Sequence, residues 1–373
     1  MRNMPIFNVP LTELRERTSI KWRRFEPDVL PMFVAEMDAH IAPPIRERLE
    51  RALRMGDTGY PELPIYQEAM ADYANWQWGW DLDPADATLV TDVVTGMRDA
   101  LEAVSSPGDA VVINPPIYPP FRGISHDRRL VEVPMVAGRL DLEGLEEAFR
   151  TQRPAAYLLC SPHNPDGTIH TRQELETVAR LADAYQVAVI SDEIHAPLAG
   201  ARHVPYLDVD GASNAVIVIS ASKSFNLAAL KAGLVIGDSG IRNRLRPMVS
   251  DGASYFGVLA HSAALTDGRE WLAEASAEIT GNKEFFAERL RATLPQLEHT
   301  PSEGTYLAWV DCAPLGLANP GQHFHRIGRV RFNFGAEFAP ETASFVRVNL
   351  ATSHDIIEEA VRRMAASIGA VEE

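Results

Sequence analysis

Residues 215–225 read AVIVISASKSF, an apolar run that ends in a lysine flanked by small hydroxyl residues. The run AVIVIS (215–220) predicts a buried strand, because it is short, rich in β-branched residues and free of charge. A lysine taken at random is usually a solvated surface residue, whereas Lys223 follows directly on this strand. An amine held away from bulk water has a lowered pKa and can attack a carbonyl carbon. We therefore predict that Lys223 is a reactive amine.

Two serines and a second lysine accompany it. Ser220 and Ser222 carry hydroxyl groups that can donate to a phosphate. Lys231 lies eight residues further on (231 − 223) and adds a positive charge. Taken alone, the segment is moderately specific for such a reactive lysine beside a phosphate.

Before and after this segment in the chain, apolar runs alternate with amphipathic helical patterns. The other runs are TLVTDVV (88–94), AVVIN (110–114), AAYLLC (155–160), VAVIS (187–191) and LVIG (234–237). Between two of them, residues 171–185 predict a helix that begins with a capping box of Thr171 and Glu174. Buried strands separated by helices predict an α/β fold, in which helices cover both faces of a mostly parallel central sheet.

The last hundred residues follow a different pattern. It comprises a helix around 269–294, strands at 305–311, 330–335 and 345–351, and a closing helix from His354. We predict a large α/β domain over residues 46–265 and a small α+β domain over 266–373. The N-terminal segment 1–45 is expected to pack with the small domain, and its PPI (43–45) opens a helix.

Composition and charge exclude several classes of protein. The net charge of −16 argues against nucleic acid or an anionic membrane as the main partner. The chain has neither a signal-peptide core nor an apolar run long enough to span a membrane. Its two cysteines, Cys160 and Cys312, cannot form a disulfide framework or a usual zinc site. We expect a cytoplasmic protein with reduced, buried cysteines and no metal.

An acidic residue follows the neighbouring apolar run, in SDEIH (191–195). In isolation Asp192 would more often be a helix or turn cap. A carboxylate in a buried site needs a cationic partner, since otherwise its pKa rises and it becomes neutral. A protonated pyridine nitrogen would be such a partner. Asp192 precedes Lys223 by 31 residues (223 − 192), which places the two on neighbouring strand ends.

Three further segments follow apolar runs, and ligands of parallel α/β sheets bind at the ends of strands. In SPHNPDG (161–167), a turn-forming segment by default, two prolines flank Asn164, whose amide can donate to a phenolate oxygen. In VTGM (94–97), a Thr-Gly pair opens a helix, and the free amides of a helix N-terminus can hold a phosphate. In PPIYPPF (115–121), Tyr118 is either part of the core or stacks on a flat ring.

Each motif is ambiguous alone, but the five together match different parts of one cofactor. A carbonyl for the lysine, a ring nitrogen for the aspartate, a phenolate oxygen, an aromatic face and a phosphate all occur in pyridoxal 5′-phosphate (PLP). We therefore predict PLP as the cofactor, held as a Schiff base on Lys223.

The chain also resembles a known family from about residue 20 onward. It is similar to the fold-type I PLP enzymes of the class I/II aminotransferase family, and most similar to their MalY/PatB-type cystathionine β-lyase (C–S lyase) branch. The supporting segments are SIKWRRFEPDVLPMFVAEMD (19–38), GDTGYP (56–61), PPIYPPF, SPHNPDGT (161–168), SDEIHA (191–196), SASKSFNLAALKAG (220–233) and FVRVNLATS (345–353). Two residues depart from the branch, Glu36 for the commoner Asp and Asp166 for a small hydroxyl residue, and either departure alters at most the substrate pocket.

The resemblance implies an aspartate aminotransferase-like fold and a role for each candidate residue. Lys223, Asp192 and Tyr118 are implied to be catalytic. The implied cofactor contacts are Tyr60, Gly96, Met97, Tyr118, Asn164, Asp192, His195, Ser220, Ser222, Lys223 and Lys231. Tyr60 is implied to reach the phosphate of a neighbouring subunit, which makes the protein a homodimer with shared active sites. Arg347 is implied to bind the substrate carboxylate. His195 stands where aminotransferases carry Tyr and C–S lyases often carry His.

The resemblance also implies the reaction. We expect α,β-elimination on cystathionine or another cysteine S-conjugate, a step of methionine biosynthesis when homocysteine is the thiol released. Pyruvate and ammonia are the other products. An aminotransferase would use the same lysine, aspartate and arginine, and it remains the main alternative. A PLP-binding regulatory protein is a minor alternative, since the chain has neither a basic patch nor a DNA-binding helical motif.

Overall fold

The computed structural model describes residues 5–60, 62–245 and 252–368, and Pro61 of the segment GDTGYP lies outside them. The strands are β1 (Leu30–Pro31), β2 (Ala87–Val90), β3 (Ala110–Ile113), β4 (Arg129–Glu132), β5 (Ala156–Cys160), β6 (Ala188–Asp192), β7 (Ala215–Ile219), β8 (Gly233–Gly237), β9 (Leu307–Asp311), β10 (Val330–Arg331), β11 (Asn333–Phe334) and β12 (Phe345–Asn349). The helices are α1 (Leu11–Leu14), α2 (Ile20–Arg23), α3 (Pro43–Met55), α4 (Ile65–Trp78), α5 (Val93–Val104), α6 (Pro120–Ile124), α7 (Leu142–Gln152), α8 (Arg172–Tyr185), α9 (Ala196–Ala199), α10 (Ser239–Arg242), α11 (Tyr255–Asp267), α12 (Arg269–Thr293), α13 (Pro320–Arg326) and α14 (His354–Ile368).

The chain divides into two compact units. Unit 1 comprises Met1–His40, Pro165–Gly167 and Leu272–Glu373, and unit 2 comprises Ile41–Asn164 and Thr168–Trp271. The domain boundaries predicted from the sequence stay a proposal. They are a large domain over residues 46–265, a small domain over 266–373, and an N-terminal segment 1–45 that packs with the small domain. None of the helices in the described ranges has the length and apolar character that crossing a membrane requires.

Unit 2 is built on a seven-stranded sheet in the order β2-β8-β7-β6-β5-β3-β4. Strand β8 is antiparallel to both of its neighbours, and the other neighbouring pairs are parallel. The predicted mostly parallel sheet is therefore confirmed. Its three central strands β5, β6 and β7 are buried along their whole length, which is why they appear in the sequence as uninterrupted apolar runs.

Two features of this sheet differ from the prediction. The run 88–94 is not one strand, because β2 ends at Val90 and Asp92 caps α5, its Oδ1 accepting the N–H of Thr95 at 2.8 Å. Strand β4 was not predicted at all. It lies at the sheet edge with Arg129 and Glu132 exposed at its two ends, so it has no continuous apolar pattern.

The capping box predicted for α8 is present. The side chain of Thr171 accepts the N–H of Glu174 at 3.2 Å, and the carboxylate of Glu174 accepts the N–H of Thr171 at 2.7 Å. Local sequence therefore determines where this helix begins.

Unit 1 contains the antiparallel sheet β11-β12-β9 and the parallel pair β1-β10. The segment VRFNFG, predicted as one strand, forms the two short strands β10 and β11 in different sheets. Phe332 separates them and is fully buried in a core that it shares with Phe286, Phe324 and Leu350. Burial of this side chain, a tertiary effect, explains the break.

Candidate active site

In unit 2, several of the predicted residues lie at or just after the carboxyl ends of three neighbouring strands, β5, β6 and β7. Asp192, the last residue of β6, lies opposite Cys160 of β5 and Val218 of β7. Because these strands are parallel, the segments that follow them leave the sheet on the same side. The prediction that Asp192 and Lys223 lie on neighbouring strand ends is therefore confirmed.

Lys223 lies in a tight turn directly after β7. The N–H of Phe225 donates to the carbonyl of Ala221 at 3.0 Å, and the N–H of Leu227 donates to that of Ser222 at 2.9 Å. Asn226 closes the turn in the left-handed region, with φ of 57°. The lysine is half-buried, so its amine is shielded from bulk water in part.

The sequence contains four lysines, and two of them, Lys223 and Lys231, follow β7 in the same segment. The Nζ of Lys21 lies 2.8 Å from Oδ2 of Asp38, with both side chains 1% exposed. Lys283 donates to the carbonyl of Ser302 at 2.9 Å. Lys231 donates to Oδ2 of Asp92 at 2.9 Å. Lys223 is the lysine whose charge acts on the buried Asp192 carboxyl.

The carboxyl of Asp192 is only 5% exposed. Its pKa is raised to about 7, chiefly by burial; the N–H of Ile194 and the charge of Lys223 oppose the rise, and the negative charge of Glu193 adds to it. Its Oδ1 accepts the Ile194 N–H at 3.1 Å. The chain by itself thus holds a carboxyl that a further cation would stabilise in its ionised form.

Next to Asp192 lies a buried pair of side chains, Glu193 and His203, that the sequence did not predict. Oε2 of Glu193 lies 2.7 Å from Nε2 of His203, and both side chains are 1% exposed. Oε1 of the same carboxylate accepts the N–H of Tyr206 and the hydroxyl of Ser191, each at 2.9 Å. These bonds hold the chain in place immediately after Asp192. The motif SDEIH contained Glu193, but no sequence pattern indicated that it pairs with His203, ten residues further along the chain.

The start of α5 corrects the prediction for Gly96 and Met97. The helix begins at Val93, so the N–H of Gly96 already donates to the carbonyl of Asp92 at 2.8 Å. The amide of Met97 lies still deeper in the helix. The N–H groups without an intrahelical acceptor are those of the first turn, at Val93 and Val94. The prediction that the Gly96 and Met97 amides face a phosphate is therefore wrong by about one turn.

Gly96 is needed for packing instead. A Cβ atom at this position would lie 3.0 Å from side-chain carbons of both Val90 and Val218, and 3.2 Å from one of Val235. These valines belong to three adjacent strands, β2, β7 and β8. The missing side chain thus allows α5 to approach the sheet closely.

Asp92 connects this helix start to the lysine loop. Burial works to raise its pKa, but the hydrogen bonds from Lys231 and Thr95 outweigh burial and the pKa is lowered. The ion pair places the positive charge of Lys231 beside the first turn of α5. The helix dipole makes this end of α5 positive too, so both charges favour an anion there. Asp92 was missed because it stands inside the run TLVTDVV. The pattern of an acidic residue before a helix is the signal that could have revealed it.

Tyr118 and Asp192 line one small cavity, together with Val94, Met97 and Phe121. The loop that carries Tyr118 is anchored by Asn114, whose Nδ2 donates to the carbonyl of Val133 at 2.9 Å. An aromatic ring and a carboxyl thus border the same space beside the start of α5.

Asn164 is 5% exposed and lies in the loop after β5. Its neighbour His163 has Nε2 2.8 Å from the carbonyl oxygen of Pro116. This contact joins the Asn164 loop to the loop of Tyr118. His163 was quoted in the motif without a role, and the structure gives it one in holding the two loops together.

The remaining candidates occupy varied surroundings. The hydroxyl of Ser220 donates to the carbonyl of Ala232 at 2.8 Å and accepts the N–H of Ser222 at 3.2 Å, so the roles of both serines towards a phosphate stay predictions. His195 is buried, and its carbonyl accepts the N–H of Leu198 at 3.0 Å. Tyr60 is 94% exposed, and its role at a neighbouring subunit stays a prediction.

Arg347 belongs to unit 1, on β12, and is 4% exposed. Its Nη2 donates to Oδ1 of Asn333 at 2.7 Å, and its guanidinium carbon lies 4.8 Å from the centre of the Phe338 ring. Two residues along the strand, Nδ2 of Asn349 donates to the carbonyl of Glu36 at 2.6 Å. Arg347 is thus buried and held in one orientation by its neighbours on unit 1.

The residues of unit 2 fit PLP. A ring nitrogen in its cationic form would give the buried Asp192 the partner that its raised pKa calls for. Tyr118 borders the same cavity, and Lys231 and the first turn of α5 supply positive charge for a phosphate. No group of His, Cys, Asp or Glu side chains within the described residues could hold a metal ion. Fold and site together define the class of the protein: an α/β enzyme of PLP fold type I.

The chain belongs to the class I and II aminotransferase family. The family model described as aminotransferase class I and II matches residues 36–364.

Relatives within this family carry related names. A protein of Mycobacterium leprae, provisionally named cystathionine beta-lyase, is 40% identical, and the match covers 99% of each chain. A cystathionine beta-lyase of Corynebacterium glutamicum is 32% identical over 95% of this chain and 98% of its own. A crystal structure from Corynebacterium diphtheriae, provisionally described as a PLP-dependent beta-cystathionase, has a TM-score of 0.92 and 30% identity, covering 97% of this chain and 98% of its own.

Proposed function

We propose that the protein is a PLP-dependent C–S β-lyase of the cystathionine β-lyase type. The observation that carries the proposal is that Lys223 and the buried Asp192 lie at the carboxyl ends of the neighbouring strands β7 and β6, where the charge of Lys223 acts on the Asp192 carboxyl. Full-length similarity to proteins named for this activity supports it. The substrate is a cysteine S-conjugate, with cystathionine the first choice. Elimination breaks the bond between the β-carbon and sulfur, and water converts the remaining fragment to pyruvate and ammonia.

Within this proposal the chain's own residues have separate tasks. When bound, PLP supplies a ring that accepts electron density from the α-carbon of the substrate. The amine of Lys223 takes the proton from that carbon as general base. The carboxylate of Asp192 keeps a proton on the ring nitrogen. Tyr118 would pack against the ring, and Asn164 would donate to its phenolate oxygen. Lys231 and the first turn of α5 would hold the phosphate, with Ser222 as a further candidate donor.

Arg347 is proposed to bind the α-carboxylate of the substrate. A guanidinium group presents two parallel N–H donors that match the two carboxylate oxygens. Asn333 and Phe338 restrict the orientation of this group, so little side-chain freedom is lost when a substrate binds.

Arg347→Ala is expected to raise KM for cystathionine about 10-fold to 100-fold, because charge-assisted hydrogen bonds to the substrate are lost. A smaller loss of kcat is expected. Arg329→Ala is the control, since Arg329 is a partly exposed arginine of the same unit, paired with Asp28 at 2.7 Å. Steady-state kinetics over a range of cystathionine concentrations measure both. If both variants keep the wild-type KM, Arg347 is a structural residue.

Incubation of the PLP-loaded protein with cystathionine and no keto acid tests the function itself. A lyase releases pyruvate and thiol continuously under these conditions. An aminotransferase turns over once at most until a keto acid is added, and that behaviour would replace the lyase assignment. The assay needs no variant.

The proposal includes assembly as a cytoplasmic homodimer with shared active sites. Tyr60 is 94% exposed, and its neighbour Leu63 is 70% exposed, as expected for residues that a second copy would cover. Two free, buried cysteines are compatible with a reducing compartment. Light scattering should return twice the chain mass of 41.1 kDa. A result of one chain mass would show a monomer, in which Tyr60 has no neighbouring active site to reach.

A further inference from the structure

A buried chain of hydrogen bonds lies behind the turn that carries Lys223. Tyr66 of α4 and His261 of α11 are both 0% exposed. Nε2 of His261 is 3.0 Å from the carbonyl oxygen of Leu230, and its Nδ1 is 3.2 Å from Oη of Tyr66. The same Oη lies 3.3 Å from the amide nitrogen of Ala221.

The partners determine the direction of every bond. A carbonyl oxygen only accepts, so Nε2 of His261 carries the ring hydrogen and Nδ1 offers a lone pair. Two hydroxyl groups lie near that lone pair, those of Tyr66 at 3.2 Å and Ser220 at 3.4 Å. The hydrogen of Ser220 goes to the carbonyl of Ala232, so the hydroxyl of Tyr66 is the donor to Nδ1. The oxygen of Tyr66 then accepts the N–H of Ala221. Burial lowers the pKa of His261 to about 4, so the ring is neutral at pH 7, as this arrangement requires.

Along the chain, the hydrogen-bonded backbone groups lie before and after the two lysines of the site, Lys223 and Lys231. Ala221 lies two residues before Lys223, and Leu230 lies one residue before Lys231. Beyond the second lysine, the carbonyl of Ala232 accepts the hydroxyl of Ser220 at 2.8 Å. The network thus fixes both ends of segment 220–232.

Helix α11 holds the same segment at a second point. The N–H of Ser254, at its N-terminal cap, donates to the carbonyl of Lys231 at 2.8 Å. A Cβ atom at Gly257 would come within 2.5 Å of that same oxygen, so the helix backbone lies directly against the segment. His261, one turn further along the helix, therefore reaches Leu230 from a rigid base.

We propose that Tyr66 and His261 are positioning residues, which hold segment 220–232 so that the amines of Lys223 and Lys231 meet the cofactor in one geometry. The inference rests on the proposed function of Lys223. Neither side chain touches substrate or cofactor in this account. Both act through Ala221 and Leu230 on the two lysines.

A matched pair of variants tests the inference. Tyr66→Phe removes the hydroxyl that accepts from Ala221, whereas Tyr73→Phe removes a hydroxyl from the same helix. Tyr73 is also 0% exposed, and its Oη has no hydrogen-bond partner within the described structure. Each variant loses one buried oxygen, but only the first breaks a hydrogen bond to the lysine segment.

Tyr66→Phe is expected to lower kcat about 10-fold to 100-fold with KM changed less than about 2-fold, because it leaves a buried N–H unsatisfied next to Lys223. It should also change the visible circular dichroism of the bound cofactor and weaken cofactor binding to the apoprotein. Tyr73→Phe should leave all three as in the wild type. Equal values for the two variants would overturn the inference.

A second pair covers the case in which Tyr66→Phe does not fold. His261→Gln keeps one donor and one acceptor, and His261→Leu keeps neither. The first should retain more kcat and more of the wild-type dichroism than the second, and equal losses would contradict a positioning role. A wild-type protein that binds PLP on no lysine would instead overturn the proposed function, so the two failures are distinguishable.

Discussion

Lys223→Ala is expected to lower the rate of elimination about 1,000-fold or more, since it removes both the amine that binds the cofactor and the general base. Pyruvate release from cystathionine measures the loss. The half-buried position of Lys223 means that truncation should change the melting temperature little.

Lys223→Arg is the informative control for this prediction. Arginine keeps the positive charge beside Asp192 but cannot form the covalent bond or accept a proton at neutral pH. The same large loss is therefore expected for it. Activity of either variant near that of the wild type would show that the reactive amine lies elsewhere.

Asp192→Asn is expected to have opposite effects on catalysis and on the stability of the cofactor-free protein. The loss of kcat should be roughly 100-fold or more, because the amide cannot keep a proton on the ring nitrogen and a buried charge pair is broken. In the absence of cofactor, the free energy of unfolding at pH 8 should increase by roughly 2–4 kcal/mol, because no carboxylate must then be ionised in a buried position.

The sign of the pH dependence follows from the raised pKa. The folded chain holds the Asp192 proton up to about pH 7, while the unfolded chain releases it near the ordinary aspartate pKa of 3.8. Between those values the folded state binds more protons, so the contribution of this group to stability falls as pH rises. The gain from Asp192→Asn should thus be small at pH 4 and full above pH 7. Denaturant unfolding of the apoproteins at pH 4, 6 and 8 measures it, and a gain that does not grow with pH would contradict the raised pKa.

The parts of the fold that the sequence predicted are those with a strong local pattern. Strands β5 and β7 are buried on both faces, and this burial dictates the continuous apolar runs. The beginning of α8 followed from its capping box. The beginning of α5 did not, since the apolar residues Val93 and Val94 made the helix look like part of a strand.

The parts of the site that remained hidden depend on contacts between distant residues. His261 lies in α11, a helix that is buried on most of its surface, and a histidine there carries no local signal. Its partner Tyr66 is 195 residues away in sequence. The pairing of Glu193 with His203 depends likewise on how the chain folds back after β6. The sequence predicted the site residues that follow the strands, such as Asp192 and Lys223. The structure was needed to find the residues that hold them in place, such as His203 and His261.

The most direct test of the central claim is reduction of the PLP-loaded protein with borohydride, followed by peptide mass spectrometry. Because the chain has four lysines, the site of attachment can be assigned without ambiguity. The account predicts a single cofactor adduct, on Lys223. An adduct on Lys21, Lys231 or Lys283, or no adduct in a protein that has been given PLP, would contradict it.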